Sequence, residues 1–161
     1  MTVLRENTIV SFMKDEDIAI DLRNFWPAED GFVWSEGKWC EITFDYDLSN
    51  ATGQDSGELI LDISSFIHPP QLEGQNVHFY LNGLRIGSRQ LTKRITAFID
   101  LPAGLLRQHN TLIIDTPDAS APSQFGLGDN RVLGIQLFTF QVRLITSSDT
   151  APVSGDFTLS R

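Results

Sequence analysis

Apolar side chains recur at every second position over most of this chain, and that period restricts what it can fold into. From Trp39 the alternation is strict: Cys40, Ile42, Phe44 and Tyr46 fall on one side, Glu41, Thr43, Asp45 and Asp47 on the other. Successive side chains of an extended strand point to opposite faces, so this segment predicts a strand with one buried and one wet face. The same period predicts strands over 8–13, 18–22, 58–63, 76–81, 84–86, 94–101 and 111–115. The longest β-rich run ends at Leu144. Leu133, Ile135 and Leu137 alternate there with Val132, Gly134 and Gln136, and further on Phe138, Phe140, Val142 and Leu144 carry the apolar face. A strand that enters a sheet centrally and leaves it half-buried reads this way.

The segments between these runs are turns. Asn82-Gly83, flanked by β runs, predicts a type I′ hairpin, because both of its central residues need positive φ. Residues 102–106 (Pro-Ala-Gly-Leu-Leu) suit one short helical turn with proline at its start. Residues 24–39 hold all three tryptophans among glycine, proline and acidic residues and read as a long loop, as do residues 116–128. Eight to ten short strands with almost no helical period predict an all-β fold, an antiparallel, jelly-roll-like β-sandwich. The length of 161 residues predicts one domain over 1–145, burying roughly 70% of the surface its unfolded chain exposes. Residues 146–161 read as a C-terminal tail or linker.

Charge narrows the partners. The formal net charge of −9 argues against nucleic acid or an anionic membrane surface. No apolar run approaches the ~18 residues of a membrane-spanning helix, which argues against membrane insertion. The N-terminus lacks the basic-then-apolar order of a signal peptide, so the expected setting is the cytoplasm or a domain of a larger protein. Cys40 is the one cysteine, which excludes an intrachain disulfide; beside Ile42 and Phe44 it reads as a small core residue.

The residues offer few routes to catalysis. His68, His78 and His109 lie on separate elements without ligand spacing. A structural calcium ion held by loop aspartates and carbonyls is the one metal considered, although no Asp-x-Asp-x-Asp-Gly run exists; no other cofactor is expected. There is no Gly-x-Ser-x-Gly elbow and no phosphate-binding glycine loop opening a helix. Glu29 and Glu36 would serve glycoside hydrolysis only if they faced each other across a groove. The aromatic segment is more informative. Trp26, Phe32, Trp34 and Trp39 lie among Glu29, Asp30, Glu36 and Lys38. A pyranose offers C–H patches on its face and hydroxyls at its rim, which suits flat rings beside hydrogen-bonding side chains. The competing reading is that the tryptophans plug one end of the sandwich. Asp129 and Arg131, two apart on a strand approach, point to the same side and can pair. A structural ion pair that closes their loop is favoured over hydrogen bonding to a ligand.

Three motifs, in order, resemble a β-sandwich accessory domain, galactose-binding-like or jelly-roll in type, found beside bacterial glycosyltransferases and other polysaccharide-biosynthesis proteins. The first is Glu29 followed by Gly31-Phe32-Val33-Trp34-Ser35-Glu36-Gly37. The second is the strand and hairpin Val77-His78-Phe79-Tyr80-Leu81-Asn82-Gly83 with Gly87. The third is Pro122-Ser123 followed by Gly126, Gly128, Asp129, Arg131, Leu133 and Gly134, with Ala121-Pro122 where the family usually has Ser-Pro. The resemblance covers roughly residues 26–144 and implies a carbohydrate-related setting. The expectation is a non-catalytic, carbohydrate-binding-like module with Trp26, Glu29, Trp34, Glu36, Asp129 and Arg131 as ligand-binding residues. The alternative is a structural or oligomerisation module that docks a glycosyltransferase domain or a second copy of itself.

Overall fold

The computed structural model describes residues 2–52 and 54–145. Among the described residues the period of two becomes eleven strands: β1 (Val3–Leu4), β2 (Ile9–Ser11), β3 (Asp21–Arg23), β4 (Val33–Glu36), β5 (Trp39–Tyr46), β6 (Ser56–Ser65), β7 (Gln75–Leu81), β8 (Leu84–Leu91), β9 (Ile95–Leu101), β10 (His109–Asp115) and β11 (Leu133–Ile145). They form two sheets. One is ordered β1–β5–β10–β7–β8, with β3 also paired to β5. The other is ordered β2–β11–β6–β9, with β4 also paired to β11. β1 runs parallel to β5, and the other named pairs are antiparallel. The all-β sandwich expected from the alternation is the fold observed.

The inward faces of the two sheets supply the core. Phe12, Phe44, Tyr46, Phe79 and Phe140 are fully buried. The Phe44 and Phe140 rings meet edge-on between the layers, 5.2 Å apart. Cys40 is buried with them, and burial pushes its thiol pKa up, away from the thiolate that a nucleophile needs.

β11 explains a change of parity that the sequence carries openly. Leu133, Ile135 and Leu137 are buried, then Phe140, Val142 and Leu144. Odd positions face inward before residue 138 and even positions after it. The pairing with β6 shifts register between Leu137 and Thr139, a bulge that absorbs one extra residue. Phe138, expected on the core face, is therefore only half-buried, and the Arg94 guanidinium lies 3.6 Å over its ring.

Other local readings shift. The strand expected over 18–22 starts only at Asp21. The loop expected over 24–39 contains β4 and the start of β5. Residues 102–106 close as a β-turn and not as a helical turn. The Leu105 amide donates to the Pro102 carbonyl at 3.1 Å, and Gly104 takes φ 79°. The helical element among the described residues is the 3₁₀ turn Pro122–Phe125, inside a segment read as loop and ended by Gly126 at φ 85°. The hairpin between β7 and β8 has Asn82 at φ 50° and Gly83 at φ 87°, both positive as a type I′ turn requires. No helix is long and apolar enough to cross a membrane among the described residues. The tail expected over 146–161 lies outside them.

Candidate ligand-binding rim

Residues 24–26 form a short antiparallel ladder with β4. The Trp26 amide donates to the Trp34 carbonyl, and the Glu36 amide to the Asn24 carbonyl, both at 2.8 Å. Phe25 and Ser35 form the bridge between these bonds. Glu29 and Phe32 bridge at the tip, where Gly31 takes φ 100°. On its other side β4 pairs with β11. The wholly buried Ser35 hydroxyl accepts a hydrogen bond from the Ile135 amide at 2.8 Å. This approach needs Gly134: a Cβ there would lie 2.8 Å from Ser35 Oγ and 2.9 Å from Thr116 Cβ. Beyond Glu36 the chain turns through Gly37, at φ 75°, and enters β5 of the opposite sheet. The Gly37 amide donates to the Val132 carbonyl at 3.2 Å, and Thr116 Oγ1 donates to the Gly37 carbonyl at 3.1 Å.

Asp129 and Arg131 pair as their spacing allows. Arg131 Nη2 lies 2.8 Å from Asp129 Oδ2, and Nε lies 3.2 and 3.1 Å from the two carboxylate oxygens. The Arg131 amide also donates to Oδ1 at 2.9 Å. Hydrogen bonds from the Arg131 side chain hold the Asp129 carboxyl below the usual carboxylate range, and the same bonds raise the Arg131 pKa. Arg131 Nη1 is 3.8 Å from Glu29 Oε2, and its guanidinium carbon sits 5.7 Å from the centre of the Trp26 ring. The Trp26 Nε1–H is shielded from solvent and has no hydrogen-bond partner. What Trp26 offers a ligand is therefore its ring face and not its N–H.

Trp26 borders two open concavities. One, of about 410 Å³, is lined by Trp26, Glu36, Gly37, Asn130, Arg131 and Val132. The other, of about 420 Å³, takes Trp26 as a wall together with Met13, Lys14, Asp15, Glu16, Ile18, Leu22, Phe25, Pro27 and Ala28. Both fall in the range of small-molecule pockets, roughly 300–1,000 Å³.

The fold thus brings Trp26, Glu29, Glu36, Asp129 and Arg131 to one rim. Trp34 lies opposite Trp26 in the ladder, but its ring packs edge-on against Phe32 at 6.3 Å, and Phe32 lies 5.8 Å from Phe138. It lines neither concavity. Trp39 is 37% exposed at the start of β5, with the Arg23 guanidinium 5.5 Å from its ring centre. Asn130, Val132 and, apart from Trp26, the residues of the second concavity escaped the sequence reading as site residues. Residues 14–17 carry only the signature of a charged turn, and nothing local shows that this turn comes to lie beside Trp26. Among the described residues no three His, Cys, Asp or Glu side chains converge, so no side-chain cluster answers the calcium expectation. The histidines are separate: His78 bonds Ser88 at 2.8 Å, His109 bonds Asp45, and His68 stacks on Phe125 at 5.0 Å.

No family model matches the chain, and no curated protein matches it either. Solved structures resemble it distantly. One is an active-site mutant of a family two carbohydrate esterase from Clostridium thermocellum, at TM-score 0.43 and 13% identity over 78% of this chain. The chain spans about a third, 32%, of that protein's length. Another is the CBM36-1 domain of a multidomain xylanase from the hindgut metagenome of Trinervitermes trinervoides, at TM-score 0.44 and 12% identity, covering 84% of this chain and 94% of that one. A third is a xylan-binding domain of CBM 22, at TM-score 0.48 and 8% identity, covering 84% and 93%. Likeness of this degree assigns no role to any residue of the rim.

Proposed function

We propose that this chain is a non-catalytic carbohydrate-binding module whose site is the rim around Trp26. The observation that carries the reading is the Trp26 ring, its N–H edge turned inward, set between two open concavities with Glu36 and Arg131 beside it. Such a wall stacks on a sugar while hydroxyls reach the charged groups at its border. The shifted groups of the rim, Asp129 and Arg131, are both held in their charged forms. They bond each other through the Arg131 Nε and Nη2 and so border the site as a fixed ion pair. On the family resemblance, we place the module in a bacterial polysaccharide-building system, beside a glycosyltransferase.

The docking alternative has less support. The exposed large apolar side chains among the described residues are Val3, Ile9, Met13, Trp39, Leu84, Phe98 and Leu127, spread over both sheets and two loops.

One stacked ring contributes about 0.5–1.5 kcal/mol beyond its burial, so a single sugar binds weakly, with Kd of about 1 mM. Glycan-array screening followed by calorimetric titration tests the site. Trp26→Ala should weaken binding about tenfold, and Trp26→Phe, which keeps a smaller ring face and loses the unpartnered N–H, should weaken it by less, within about threefold. Unchanged affinity in a folded Trp26→Ala protein would remove the site.

A further inference from the structure

Asn130 occupies the turn that the Asp129–Arg131 pair closes. Its chain is fixed on both sides: the Arg131 amide donates to Asp129 Oδ1 at 2.9 Å, and the Ser123 amide donates to the Asp129 carbonyl at 2.7 Å. An aspartate that accepts from the amide two residues on sets a turn by itself. The Asn130 side chain is exposed, lines the first concavity with Trp26, and makes no hydrogen bond among the described residues. Glu36, on the same lining, has neither a hydrogen bond nor an ion pair through its side chain there. Arg131 is partly spent: Nε and Nη2 bond Asp129, while Nη1, 3.8 Å from Glu29 Oε2, makes no hydrogen bond.

These free groups define a ligand. A carboxylate only accepts, a guanidinium only donates, and a carboxamide does both. The charged side chains of the lining, Glu36 and Arg131, balance. The Nε–Nη2 edge of Arg131, a two-point grip for a carboxylate, is filled by Asp129, which leaves an acidic sugar only the flank that Glu29 faces. Hydroxyls donate and accept at once and suit all three groups. Resting on the carbohydrate reading above, we infer that the first concavity takes a neutral sugar through two adjacent hydroxyls held by the Asn130 carboxamide, one at its oxygen and one at its nitrogen. The amide oxygen and nitrogen sit side by side on one carbon, and hydroxyls on neighbouring ring carbons match them as a two-point contact. Glu36 accepts from a further hydroxyl of the same unit. Asn130 is thus the specificity-determining residue of the rim, and Asp129 is a positioning residue that acts through it. A sugar that lacks one of the paired hydroxyls leaves half of the carboxamide unmatched, which is how a polar site discriminates.

NMR titration of the isotope-labelled full chain with the methyl glycosides of glucose, galactose, mannose and xylose, and with methyl glucuronide, tests this. The side-chain NH2 signal of Asn130 should move together with the indole signal of Trp26 for at least one neutral glycoside, and the glucuronide should bind no more tightly than the glucoside. Among the monodeoxy analogues of the neutral glycoside that binds best, two that lack neighbouring hydroxyls should each bind about tenfold more weakly. Asn130→Ala should weaken binding about tenfold, and Asn130→Asp, which keeps the acceptors and loses the donor, should weaken it as much. Asp129→Ala should weaken binding about fivefold, whereas Asp129→Asn, whose side-chain oxygen can still accept from the Arg131 amide, should recover it to within about twofold of the original. A folded Asn130→Ala protein with the original affinity would overturn the role of Asn130, and an Asp129→Asn protein as weak as Asp129→Ala would overturn the positioning role. A glucuronide that outbinds the glucoside would overturn the neutral class. In each of these results a Trp26 signal that still responds leaves the carbohydrate site standing. Silence of Trp26 and Asn130 toward all five glycosides, with the fold intact, would overturn the carbohydrate reading and this inference with it.

Discussion

A single methyl group at position 134 would collide with Ser35 Oγ and Thr116 Cβ, so Gly134 sets how closely β4 can lie against β11. Gly134→Ala should destabilise the protein by about 1–3 kcal/mol, the usual cost of overpacking. Combined with Ser35→Ala, part of that cost should disappear, because the two changes share one contact. Strictly additive losses in thermal denaturation would contradict this account. The Asp129–Arg131 pair makes a second residue-scale prediction. The Asp129 pKa is depressed in the folded protein, so the pair's contribution is fully present above the ordinary carboxylate range and is lost as pH falls through the lowered value. Followed by NMR at Arg131 Nε, the pair should persist at pH of about 4 and release only below it. A midpoint above pH 4 would contradict the geometry. This pair was legible in the sequence, because a spacing of two on an extended approach puts side chains together. The bond from the Ile135 amide to Ser35 was not, since it joins residues 100 positions apart.

At the scale of elements, alternation marks most of the strands and their wet faces. Its change of parity in the last run marks the bulge at Phe138, once the pairing with β6 is known. β4 was hidden for a physical reason. Four residues are too few to display a period, and the surrounding glycine, proline and acidic residues signal a loop. The hairpin Asn82-Gly83 was legible as a turn, while the further work of Asn82 was not. Its side chain donates to the Leu105 carbonyl and to Asn110 Oδ1, each at 3.0 Å, and accepts from the Thr111 amide at 2.9 Å. One side chain thus ties three segments at that end of the sandwich. Asn82→Gly, which tolerates positive φ but loses the bonds, should cost about 1–3 kcal/mol in urea denaturation. Asn82→Ala should cost about 1 kcal/mol more, because it must also hold a left-handed backbone. A glycine variant as stable as the original would show that the bonds contribute nothing.

At the scale of the whole molecule, the sequence carries the sandwich and not the identity of each strand's neighbour. The first strands join edges far along the chain, β1 at β5 and β2 at β11, and no local pattern announces such partners. The rim is assembled the same way: residues 13–36 meet residues 129–132 because β4 pairs with β11. Directly beside the rim, the turn through Gly37 carries the chain from one sheet into the other. If the rim holds a glycan as proposed, tension transmitted along it would be divided between both layers instead of peeling one away. In an optical trap that holds the protein through such a tether, the sugar should detach before the fold yields, and rupture of the sandwich first would mean that the anchorage rests on one layer alone.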